Sequence, residues 1–136
     1  MQQVYSDNSI VVRFPAEKIA FAVDFIPVKS MAFRDLPDVY IPDWIESIKR
    51  VEAMEFDVFA PGHGPLGTKE DVRNFRAYIT ELRDEVLALA RQGKSADEVK
   101  QAVKMAKYSA WAGYEQMQQL NVKGMYRLVQ ANRRNN

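Results

Sequence analysis

The sequence predicts an α/β (α+β) fold, with its strands first and its helices after. Two short apolar runs near the start flank a proline turn, and a third apolar run follows one helical stretch. Beyond Thr68 the apolar residues recur only at helical spacing.

Each element has its own signal. Ser9 to Phe14 and Lys18 to Phe25 are rich in apolar, β-favouring residues, and the short turn Pro15-Ala16-Glu17-Lys18 predicts a hairpin. Apolar side chains fall on both faces of these strands, as in a sheet covered on both sides. Ile26 to Ile41, with Pro27 and Pro37, reads as a long irregular loop, a feature that is often functional. Pro42 suits the first turn of a helix, and Trp44, Ile45, Ile48, Val51 and Met54 give it an apolar stripe. Asp57 to Ala60 is a third strand, stopped by Pro61. Thr68 and Asp71 form a capping pair for a long helix striped by Val72, Phe75, Ile79, Leu82, Val86 and Leu89, and Gly93 ends it. Ser95-Ala96-Asp97-Glu98 is a capping box for a helix to about Lys107. Tyr108 to Leu120 is aromatic and helix-compatible. Asn121 is expected to cap a last helix that turns Met125, Leu128 and Val129 inward. The polar tail from Asn132 is expected to fray.

A chain of 136 residues suffices for one domain with its own core. The expected division is a strand-and-helix core over 1–66 and a helical portion over 67–136. A net charge of +1 gives no general attraction to nucleic acid. The absence of cysteine excludes disulfides, thiolate zinc sites and thiol nucleophiles, and leaves the compartment open. Met1 to Asn8 is polar and has no signal-peptide core, and no apolar run is long enough to span a bilayer. The chain is therefore expected to be soluble, with neither nucleic acid nor membrane as a partner.

Two residues stand out chemically. The only histidine, His63, lies in Phe59-Ala60-Pro61-Gly62-His63-Gly64-Pro65, on a glycine-proline turn at a strand end. Asp24 sits inside the apolar run Ile19-Ala20-Phe21-Ala22-Val23-Asp24-Phe25. A carboxylate in such a run is costly to bury unless paired or bound to metal. An aspartate and a histidine at two strand ends suggest a metal site, but two ligands do not complete one. No serine has a histidine partner nearby in sequence, so no catalytic residue is assigned.

These segments, in this order, resemble the C-terminal half of a metallo-β-lactamase-fold hydrolase. Tyr5-Ser6-Asp7-Asn8-Ser9-Ile10-Val11-Val12-Arg13-Phe14-Pro15 resembles the strand after the family's third histidine ligand. Lys18 to Phe25 resembles the strand ending in the metal-bridging aspartate, and Asp57 to Pro65 the segment carrying the last histidine ligand. Trp111, Tyr114 and Asn121-Val122-Lys123-Gly124-Met125-Tyr126 resemble the helical extension of one subgroup. These motifs run along essentially the whole chain.

The resemblance implies half of an αββα sandwich with a helical C-terminal extension. It implies metal positions at Asp24 and His63, close together at one edge of the sheet. The departures matter equally. The His-x-His-x-Asp-His motif that supplies most of the family's ligands is absent from these 136 residues, the third histidine falls on Tyr5, and Val23 replaces a usual glycine. A phenol is protonated at neutral pH and ligates poorly. Zinc, which takes at least three protein ligands, is therefore expected to bind weakly or not at all. The resemblance thus implies a truncated superfamily member, a zinc-site remnant inactive alone. The alternative is a zinc-dependent hydrolase whose site is completed by a second chain, either a homodimer partner or a separate N-terminal half.

Overall fold

The computed structural model describes residues 11–22, 25–37, 39–62 and 64–134, with side chains to 131. Tyr5, Val23, Asp24 and His63 lie outside the described residues. Among those described, the fold is α+β, as expected, with a three-stranded mixed sheet and four α-helices. The chain packs as two compact units. One comprises Met1–Lys29 with Asp38–Ala77, the other Ser30–Pro37 with Tyr78–Asn136.

The first unit holds the sheet, in the order β1-β2-β3. β1 (Val11–Phe14) and β2 (Ile19–Ala22) form the expected antiparallel hairpin. Its turn closes where the Lys18 amide donates to the Pro15 carbonyl at 3.3 Å. β3 (Val58–Pro61) lies parallel to β2, so the chain must cross over between them. α1 (Ile41–Ala53) lies within that crossover. Pro42 stands in its first turn and its stripe is buried at Trp44, Ile45, Ile48 and Val51. Met54 lies just past its end, where its carbonyl accepts from Lys69 Nζ at 2.6 Å.

Register sorts the strand side chains onto two faces of different character. On one, Ala20, Ala22 and Phe59 are completely buried. On the other lie Val12, Phe14, Ile19, Phe21, Val58 and Ala60, all apolar. None of these six is buried, and Phe14 is 48 % exposed. The sequence expectation of two covered faces therefore holds fully only around Ala20, Ala22 and Phe59; Arg13 on that face is exposed, and the opposite face is half-buried except at Phe14.

α2 (Lys69–Arg91) is the long helix expected from its stripe. Thr68 and Asp71 cap it reciprocally, since the Thr68 amide donates to Asp71 Oδ2 at 2.9 Å and the Asp71 amide to Thr68 Oγ1 at 3.4 Å. In the first unit Phe75 meets Trp44, ring centroids 5.6 Å apart. In the second, Tyr78, Ile79, Leu82 and Val86 are buried, while Leu89 is only half-buried. Gly93 ends this helix with φ +80, a left-handed turn that a Cβ disfavours.

α3 (Ala96–Ala102) starts at the expected capping box. The exposed Glu98 carboxyl is held below its usual range by the backbone and hydroxyl of Ser95. The helix does not continue to Lys107. It stops at Ala102, the Val103 carbonyl accepts from Gln118 Nε2, and Met105 turns left-handed at φ 51. That reversal sets up a 3-10 turn, Ala106–Tyr108, and Tyr108 then meets Tyr78 and Trp111 at ring separations of 5.0 and 4.6 Å. Three aromatic edges packed together outweigh the loss of another helical turn.

α4 (Tyr114–Arg134) differs most from expectation, running unbroken through Asn121. Asn121 is no cap. It is wholly buried, and its amide is satisfied by side chain and backbone partners far away in sequence. Met125 and Val129 are buried as expected, Leu128 is half-buried, and Leu120 is exposed.

Candidate functional site

The strands that lead into the two candidate ligands end side by side. In the parallel pair, Ala22 is the register partner of Pro61. Asp24 follows Ala22 by two residues, and His63 follows Pro61 by two. The carboxyl ends of adjacent parallel strands are where open α/β sheets commonly bind ligands.

The described chain beyond each candidate is pinned. Just after Asp24, the buried Phe25 carbonyl accepts from Trp44 Nε1 at 2.7 Å. Just after His63, Gly64 adopts φ +98, open only to a residue without a Cβ. The turn then returns to β3, where Phe59 and Gly67 exchange both backbone hydrogen bonds at 2.8 Å. A Cβ on Gly67 would lie 2.8 Å from the Val28 methyls and 2.9 Å from Asp71 Oδ2, so this return needs glycine. Sequence reading missed Trp44 as a backbone anchor and took it only as a stripe residue. An indole N–H on a buried helix face always needs an acceptor, and that was the available signal.

Among the described residues no group of three or more His, Cys, Asp or Glu side chains could hold a metal. Asp24 and His63 are of the right chemical type for zinc, a carboxylate and an imidazole, but they fall short of the three protein ligands that even an open catalytic site uses.

Two buried or half-buried phenols and one ion pair serve packing. Burial holds the Tyr78 phenol far above its ordinary range, with Tyr108 and Tyr114 adding to the effect. Tyr108 is pushed up by burial and by its hydrogen bond to Glu81. Both stay protonated, as hydrogen-bond donors. Arg76 forms a two-pronged pair with Glu52 within the first unit.

No family model matches the sequence, and no curated protein matches it. Solved structures do match, among them the crystal structure of VMB-1 at pH 5.5 in Bis-Tris, with 25% identity and a TM-score of 0.51. VMB-1 is a metallo-β-lactamase. The chain thus has a distant structural likeness to that family, consistent with a partial α/β fold of its kind. The match covers 58% of this chain, less than the whole length over which the sequence motifs run, and 38% of VMB-1. No helix among the described residues is long and apolar enough to cross a membrane.

Proposed function

We propose that this chain is a half-sandwich relative of the metallo-β-lactamases that does not hydrolyse substrate alone and pairs with a second copy of itself. The apolar sheet face of Val12, Phe14, Ile19, Phe21, Val58 and Ala60 carries the reading. A sheet face whose described side chains are all apolar and at most half-buried favours a partner layer over water. In an αββα sandwich that layer is a second sheet. A second copy would present the same uncharged face, and a two-fold axis makes one surface complementary to itself.

Sedimentation equilibrium tests the pairing. The unmodified chain should be a dimer at micromolar concentration, and Phe21→Lys should convert it to a monomer with unchanged helical circular dichroism. A monomeric parent chain removes homodimerisation. If the parent binds instead a separately produced N-terminal half-domain, the partner is that half.

Metal content tests the inactivity. Purified protein dialysed against buffer should retain well under one zinc per chain, and should not turn over β-lactam or simple ester substrates. Two ligands leave the tetrahedron half built. Tyr5→His adds one family ligand and should tighten zinc binding without yielding an efficient enzyme. The zinc-hydrolase alternative draws on the adjacency of Ala22 and Pro61, which lead into Asp24 and His63. Stoichiometric zinc that survives dialysis, with turnover abolished by His63→Ala, establishes that alternative in place of the inactive half.

A further inference from the structure

The segment Ser30–Pro37 contains no glycine, yet Arg34 and Leu36 adopt φ 48 and 59, and Lys29 before it φ 48. A Cβ makes this left-handed region costly. Within the segment the Leu36 N–H donates to the Phe33 carbonyl at 3.1 Å. Its conformation is not one its own sequence would choose.

The partners that impose it come from residues 112–127. The Met31 amide donates to the Ala112 carbonyl at 3.0 Å. The Ala32 amide donates to Asn121 Oδ1 at 3.2 Å, while Asn121 Nδ2 donates back to the carbonyls of Ala32 and Arg34 at 3.0 and 2.8 Å. Tyr78 Oη also donates to Asn121 Oδ1, at 2.7 Å. Arg127 Nη2 donates to the carbonyls of Asp35 and Leu36, both at 3.1 Å, and Nη1 to the Asp35 carboxylate at 3.2 Å. Gly124 leaves a gap in the helix surface that the Asp35 backbone fills. Met31, Ala32 and Leu36 are buried beneath the segment, and Phe33 projects outward, 51 % exposed.

We propose that Ser30–Pro37 is a latched strap, which opens and closes on α4 as one unit with the Asn121 amide as its latch. A closed state disfavoured by its own backbone and held by hydrogen bonds from one distant stretch of chain is poised for opening as a unit. Opening uncovers Met31, Leu36 and the Gly124 gap. Asn121 is the only strap partner that bonds both to the strap and to α2, through Tyr78, among the hydrogen bonds described.

Hydrogen–deuterium exchange on the full chain tests this. In Asn121→Ala, the amides of Met31, Ala32 and Leu36 should exchange at least tenfold faster than in the unmodified chain. Those of Ala20, Phe59 and Ile79 should keep their rates. Exchange unchanged in the strap overturns the proposal, because Asn121 then holds nothing closed. Acceleration spread equally over strap, α2 and α4 also overturns it, because Asn121 is then a core residue and not a latch. Should Asn121→Ala fail to fold, Asn121→Leu, close to it in volume and without hydrogen-bonding groups, gives the same reading. A threefold or greater acceleration confined to the strap supports the latch, and unchanged or uniformly raised rates refute it.

Discussion

Trp44→Ala is expected to remove about 3–5 kcal/mol of stability, the usual range for truncating a buried tryptophan. The side chain is 1 % exposed, and its ring meets Phe75 at 5.6 Å. Its loss leaves a cavity and also strips the buried Phe25 carbonyl of its indole donor. An acceptor buried without a partner adds its own desolvation cost, about 1–3 kcal/mol. Trp44→Phe separates the two effects, since it keeps most of the apolar volume and loses the N–H. Urea unfolding followed by circular dichroism should place Trp44→Phe between the parent and Trp44→Ala. Equal stability of Trp44→Phe and the parent would mean that the hydrogen bond to Phe25 contributes nothing net.

Gly124→Ala should also destabilise, against the ordinary direction of such a change. Alanine in a helix interior is normally favoured over glycine by about 1 kcal/mol. Gly124 lies inside α4, so propensity alone predicts a gain. A Cβ there falls on the Asp35 carbonyl, which is backbone and cannot swing aside. Forcing atoms into a filled space costs about 1–3 kcal/mol, so the clash outweighs the propensity. A lower melting temperature for Gly124→Ala is the expected result. A higher one would mean that Asp35 does not approach the helix in solution.

The order of elements was legible because its signals are local. The Ser95 box, the Pro42 start, the Gly93 stop and the stripe of α2 each lie within a few residues of the structure they specify. What was misread depends on partners far away. Asn121 looked like a cap because a lone sequence gives no hint that Ala32 and Arg34 will satisfy its amide. Its place on the stripe with Gln118, Val122 and Met125 was the available clue, as a polar group on a buried face must find partners there. The early end of α3 had the same cause, since Gln118 and the aromatic trio take the chain where helical periodicity would not. Of the candidate site, the sequence foretold the two strands and the stop of β3 at Pro61. It did not foretell Trp44 on Phe25 or the tight return at Gly67, both set by packing across the chain.

The strap has a consequence for how this protein is made. Ala32 and its anchor Asn121 are 89 residues apart in the chain. At the usual pace of synthesis, 5–20 residues per second, the ribosome needs roughly 4–18 s to join them. Throughout that interval the nascent segment lacks the Asn121 and Arg127 hydrogen bonds that hold it around Arg34 and Leu36, and α4 is not there to close over it. A translation pause before α4 should therefore leave a chain that chaperones bind through this stretch, and synthesis of α4 should release it.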